Sequence, residues 1–193
     1  LNGSKPPSAV IAFLAMSKAA FSLRRISEID LALCVRCNRA SRYRAMRATF
    51  RLASRLGDGV VWYALMAILP LAYGSRAWPV VLQMLIGGVV GLVAYKCLKR
   101  KTLRLRPFQA HSVIVAAAAP LDRFSFPSGH TLHAFSMSLI VSHSFSELAP
   151  ALMVLATMIG ASRPILGLHY PSDVLAGAAI GTLVAAAVTG LPL

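Results

Sequence analysis

The chain has 193 residues, of which 57% are hydrophobic and only 13% charged, and it carries a net charge of +14. Soluble domains of this size carry about a quarter charged residues, so composition excludes a soluble domain. It also excludes disorder, because so much apolar surface cannot stay solvated. Twenty Lys and Arg against six Asp and Glu suggest a nucleic-acid binder, but the mean hydropathy of +0.67 assigns that charge to a membrane surface. The class expected is an all-α integral membrane protein with no nucleic-acid partner.

In chain order, residues 6–23 are apolar but contain Lys18 and three serines, which reads as an interfacial segment more than a sixth span. Cys34 and Cys37 form a lone CxxC. A zinc site wants four ligands and no second pair stands at ligand spacing, so neither a metal nor a cofactor is expected. From Tyr43 onward, Tyr43, Met46, Phe50, Ala53 and Leu56 recur every three or four residues, and Arg44, Arg47, Arg51 and Arg55 keep the same rhythm offset by one position. An apolar stripe beside a cationic one describes a helix lying in the membrane interface, drawn to anionic headgroups. Arg36, Arg39 and Arg42 extend the charge.

Charge-free stretches then define the spans: Gly59 to Ser75, Ala77 to Tyr95, Thr131 to Ser146, Leu148 to Ser162, and Val174 to Leu193. A helix of about 17 residues reaches about 25 Å, close to the hydrocarbon thickness of about 30 Å. The shorter third and fourth stretches need polar flanks to extend them. The expectation is a bundle of about five to six transmembrane helices, with residues 1–57 as a basic amphipathic segment and 58–193 as the membrane core. Gly87-x3-Gly91 and Gly177-x3-Gly181 in the second and last spans place small residues on one face and predict close helix packing.

Three stretches interrupt the apolar pattern beside spans: Lys99-x6-Arg106-Pro107, Pro127-Ser128-Gly129-His130, and Ser162-Arg163-x5-His169-x3-Asp173. Counting crossings from Gly59 places all three on one side of the membrane, which supports a single composite site. Two arginines and a lysine converge there, and guanidinium forks suit oxyanions. Ser128 and Gly129 stand where a helix begins, and free N–H groups at such an end favour an anion. His130, His169 and Asp173 remain for bond-breaking. An aspartate one turn beyond His169 accepts from one imidazole nitrogen and leaves the other to attack, while His130 suits the acid that protonates a leaving oxygen.

Together the three stretches resemble the tripartite signature of the type 2 phosphatidic acid phosphatase superfamily, with all eleven signature positions present at the family spacing. The resemblance implies that His169 is a nucleophile forming a phosphohistidine, that Asp173 orients it, and that His130 is the general acid and later the base. It implies that Lys99, Arg106, Ser128, Gly129 and Arg163 bind phosphate without a metal, while Pro107, Pro127 and Ser162 support the loops. The activity expected is hydrolysis of a membrane lipid phosphate or diphosphate, of the phosphatidic acid, phosphatidylglycerophosphate or undecaprenyl diphosphate type. A phosphotransferase using the same phosphohistidine and a non-catalytic anionic-lipid-binding protein are the alternatives.

Other charged residues beside the spans, including Lys96, Arg100, Lys101 and Arg104, read as snorkelling anchors. Asp122 and Arg123 read as a local pair, and His133 as a residue that can line the site. Besides the signature, fourteen Lys and Arg fall on the putative active side against Arg76 alone on the other. That asymmetry points to the cytoplasm, whereas the resemblance implies an active site facing away from it. A bacterial inner membrane is the expected location, with the side and the oligomeric state left open.

Overall fold

The computed structural model describes residues 25–120 and 122–191; the segment 6–23 lies outside them. The described chain is helical, with one isolated bridge between Leu105 and Phe124. Helix α1 covers residues 25–39 and α2 runs Arg44–Leu56. They are followed by α3, Val60–Tyr73, α4, Trp78–Thr102, and a short α5, Pro107–Ala110. Then come α6, Gly129–Ser144, α7, Ala149–Ile165, and α8, Pro171–Thr189.

Three helical stretches among the described residues are long and apolar enough to cross a membrane: Val60–Thr102, Ser146–Ile165 and Pro171–Thr189. The first is folded into α3 and α4 at Gly74, whose φ of 64° suits a residue without a Cβ. Helix α6 is the most enclosed. Its 16 residues cover about 24 Å, and it packs against α4, α7 and α8.

The glycine stripes explain that arrangement. A Cβ on Gly87 would meet Ile140 at 2.7 Å and one on Gly91 would meet Leu132 at 2.8 Å, so the α4 glycines seat α6 side chains. On the opposite side, a Cβ on Gly177 would stand 2.6 Å from the Ser128 carbonyl oxygen, and one on Gly181 would strike that of Leu132. In a bilayer the lipid is as apolar as the side chains, so close van der Waals packing of this kind holds helices together. Met84, Met137, Ile140, Ile159 and Val184 fill the centre of the bundle.

The amphipathic stripe of α2 is only partly buried. Phe50 and Ala53 are enclosed, Phe50 packing with Ala117, Leu166 and Leu168, whereas Tyr43 and Met46 stay exposed. Helix α2 therefore lies along α7 through its second half. The run after Val113 is a packed loop: Ile114 and Ala117 are buried, and the Ala117 N–H donates to the Leu166 carbonyl at 3.0 Å.

Candidate active site

Each signature stretch ends or begins a helix, and the bundle brings those ends together. Lys99 lies in the last turn of α4, and Arg106 immediately precedes α5. Ser128 precedes α6, with Gly129 and His130 in its first turn. Arg163 lies near the end of α7, His169 in the following loop, and Asp173 in the first turn of α8. Lys99, Arg106, Gly129, His130 and His169 line one cavity of about 250 Å³, together with Asp58, Tyr95, Asp122 and His133.

Arg106 is almost fully buried and engaged through every nitrogen. Its Nε donates to the Asp122 carbonyl at 2.9 Å and Nη2 to Asp122 Oδ1 at 2.7 Å. Nη1 lies 2.7 Å from the Leu168 carbonyl and 3.1 Å from His169 Nε2. A guanidinium can only donate, so Nε2 of His169 is the acceptor and the ring proton sits on Nδ1. That nitrogen faces Asp173 Oδ2 at 3.7 Å, beyond hydrogen-bond length, and it has no partner among the described residues. Burial above all, then the Arg163, Arg106 and Lys99 charges, holds the His169 imidazole well below its ordinary pKa. These neighbours favour the neutral ring, with the Nε2 lone pair toward Arg106.

Asp173 is fixed from two sides. Its Oδ2 accepts from the Tyr170 N–H at 2.8 Å and its Oδ1 from Arg104 Nη1 at 2.7 Å. Ser128 is wholly buried, its N–H donating to the Asp173 carbonyl at 3.0 Å and its hydroxyl paired with Thr131 at 2.9 Å. The Ser128 hydroxyl does not cap α6, so the N–H groups of that first turn keep their anion-binding capacity. Buried Ser162 donates to the Ile159 carbonyl at 2.6 Å; Pro107 is buried at the start of α5 and Pro127 in the loop before α6. Arg163 does not line this cavity, but its charge is the strongest acting on His169. Its Nη1 lies 2.5 Å from Ser54 Oγ, and its Nε is buried without a partner among the described residues.

Several site residues fall outside the signature. Asp122 does not pair with Arg123, which lies over the Phe124 ring; its carboxylate bridges Lys99 and Arg106. Burial alone would raise the Asp122 pKa, but its contacts with Lys99 and Arg106 hold it below the usual carboxylate range. Asp58, between α2 and α3, lies 2.6 Å from His130 Nε2. Arg104 is not a snorkelling anchor: it is paired with Asp173 and, at 2.6 Å, with Asp30 of α1, and it stacks over the Tyr170 ring. Asp30 also accepts from the Ser172 N–H at 2.9 Å. One turn along α1, the Cys34 thiol, pushed up to about 12 by burial first, contacts the His169 carbonyl at 3.7 Å. A further turn on, Asn38 holds the carbonyls of Val115 and Ile165, each at 3.0 Å.

A usable signal for these residues is scarcity. The chain holds only six acidic residues, and Asp30, Asp58, Asp122 and Asp173 all meet here. No group of three or more His, Cys, Asp or Glu side chains positioned to hold a metal occurs among the described residues.

Comparison with known proteins fits this geometry. Residues 76–192 match the profile of the PAP2 superfamily. The chain is 32% identical over 149 residues to the decaprenylphosphoryl-5-phosphoribose phosphatase of Mycobacterium tuberculosis, covering 74% of this chain and 78% of the relative. It is 33% identical over 132 residues to undecaprenyl-diphosphatase BcrC of Bacillus subtilis, covering 68% and 65%. Among solved structures it superposes on Aquifex aeolicus LpxE with a TM-score of 0.71 at 27% identity, covering 83% of this chain and 94% of that one.

Proposed function

The chain belongs to the PAP2 superfamily and is a membrane-embedded lipid phosphatase, and from that premise we propose that it works by a phosphohistidine on His169. The observation that carries the reading is the Arg106–His169 contact of 3.1 Å. It fixes the lone pair on Nε2 at the wall of a cavity that also holds Lys99 and His130.

In this reading the phosphoryl group enters between Lys99, Arg106, Arg163 and the N–H groups at the start of α6, displacing the Asp122 carboxylate from its two cations. Nε2 of His169 attacks phosphorus, and the bond to the leaving oxygen breaks. That oxygen takes a proton from His130, while Nδ1 keeps its proton and the Asp173 carboxylate stabilises the charge the ring gains. His130 then removes a proton from water, which attacks the phosphohistidine and releases inorganic phosphate. Fixed cations and N–H groups supply the electrostatic stabilisation that phosphoryl transfer requires. Pro107, Pro127 and Ser162 hold the loops in place.

Helices α3, α4, α6, α7 and α8 cross the membrane in this account. The segment ending at residue 57 anchors the 58–193 core at the anionic headgroup layer, and the membrane is the bacterial inner membrane. The substrate is a prenyl-linked phosphoribose or a prenyl diphosphate, the kinds for which the two relatives are named, or a phosphatidylglycerophosphate. The test is phosphate release by the detergent-purified protein, in EDTA, from phosphatidic acid, phosphatidylglycerophosphate, undecaprenyl diphosphate and a soluble monoester. Release that His169→Ala abolishes supports the reading; equal release by that variant removes His169 as nucleophile. Transfer to an added alcohol in place of water would identify a phosphotransferase.

A further inference from the structure

The turn between α2 and α3 reads Gly57-Asp58-Gly59, and it sets a carboxylate against the ring of His130. Each glycine has a physical reason. A Cβ on Gly57 would stand 2.8 Å from Ile159 Cγ2 and 3.1 Å from His130 Cδ2, so a bare backbone is what lets the turn lie this close to the imidazole. Gly59 adopts a φ of 119°, a conformation that a side chain resists. Between them the Asp58 N–H donates to the Arg55 carbonyl at 3.0 Å, and the Gly59 carbonyl accepts from the Trp62 N–H at 2.9 Å. The Asp58 backbone is thus tied to the end of one helix and the start of the next, and its Oδ1 lies 2.6 Å from His130 Nε2.

An ionised carboxylate can only accept, so Nε2 carries a hydrogen and Nδ1 is left to exchange the catalytic proton. Arg163 of α7 and Arg106 before α5 act on the same ring as cations. Tyr95, Lys99, Asp122, His133 and His169 share its cavity, and Arg51 and Arg55 of α2 line the space on its other side. The Asp122 carboxylate is committed to Lys99 and Arg106. Cations oppose the imidazolium that must donate to a leaving oxygen, whereas a carboxylate in contact favours it. Asp58 supplies that contact.

We propose that Asp58 is a positioning residue for the general acid and base, holding His130 with its hydrogen on Nε2 and supporting its charged form. The inference rests on the lipid phosphatase reading above. As the leaving group departs, the Nδ1–H bond breaks and its proton passes to the leaving oxygen, while the Nε2 hydrogen stays on the ring, bonded to Asp58. The neutral ring then takes a proton at Nδ1 from the water that attacks the phosphohistidine, which restores the imidazolium. Asp58 remains a carboxylate throughout, as the aspartate of a serine hydrolase does. The site then holds two histidine–aspartate pairs, one for the nucleophile and one for the acid. Asp58 lies outside the 76–192 region that matches the family profile, so that match gives it no role.

The test is the pH dependence of kcat/KM for phosphatidic acid in Asp58→Asn, which keeps an acceptor for the Nε2 hydrogen but removes the charge. Wild type should lose activity at high pH as His130 loses its acidic proton. Without the carboxylate the imidazolium is less favoured, so that alkaline limb should move down by about one pH unit or more. On its alkaline side kcat/KM then falls about tenfold or more, while KM stays within about threefold. An aryl phosphate, whose phenolate leaves without a proton, should lose less than about threefold, and its turnover reports that the variant is folded. In a His130→Ala background, Asp58→Asn should cost nothing further, because Asp58 acts through that ring. An unmoved alkaline limb, equal losses on both substrates, or a full additional loss in the His130→Ala background overturns the positioning role. No release by wild type, or release that His169→Ala leaves unchanged, overturns the phosphatase reading itself and this inference with it.

Discussion

The imidazole of His169 is trapped between a guanidinium that only donates and a carboxylate that only accepts, which leaves one tautomer compatible with both neighbours. Burial and three nearby cations favour its neutral form, and a His held neutral keeps its lone pair until the pH falls through its lowered folded value. The acid limb of kcat/KM should therefore lie well below the ordinary histidine value of 6.5; a pH–rate profile with a limb at or above that value would contradict the account. Asp122 adds a second residue-scale prediction. It sits on the two cations that are to hold phosphate, so Asp122→Asn should let inorganic phosphate inhibit more tightly, by about fivefold for a contribution of about 1 kcal/mol. A competitive-inhibition titration measures this, and unchanged or weaker inhibition counts against competition. The signature residues were legible because their types and spacing carry chemistry along the chain. Asp122, Asp58 and Arg104 were not, because their partners are 16 to 74 residues away in sequence and no local pattern announces them.

At the scale of elements, α6 is seated against α8 by glycines where no Cβ fits. Gly181→Val places side-chain atoms against the Leu132 carbonyl, and overpacking of this kind costs about 1–3 kcal/mol. Thermal melting in detergent should show a clear loss of stability, while Gly190→Ala, whose nearest neighbour is 3.5 Å away, should leave the melt unchanged. The GxxxG spacing foretold that close approach, because the physics is local to one face of a helix. The role of α1 was not foretold. Asp30, Cys34 and Asn38 recur every four residues and so share one face, but none is apolar enough to register as a packing stripe. That face grips the loop carrying His169 through Ser172, Arg104 and the His169 carbonyl. Asp30→Asn should lower kcat about tenfold, through a loosened Arg104–Asp173 pair, with little change in KM; Asp30→Glu should recover part of it. Steady-state kinetics decides, and a rise in KM at constant kcat would make α1 a substrate-binding element instead.

Over the whole molecule, the three helix-end motifs meet in one place, as the crossing count read from the charge-free stretches expects. Span lengths were less legible. Helix α4 runs on to Thr102 and so carries Lys99 into the site, where it pairs with Asp122, and α6 begins at Gly129 because the serine before it closes the loop onto α8. The mechanism proposed above is a double displacement at phosphorus through His169. Stereochemistry tests this most directly, without requiring the intermediate to accumulate. A lipid substrate with a terminal phosphate made chiral by oxygen isotopes would be cleaved in the presence of EDTA and an alcohol acceptor, and the configuration of the transferred phosphate determined. Two in-line steps predict net retention. Net inversion would mean a single direct displacement and would contradict the phosphohistidine.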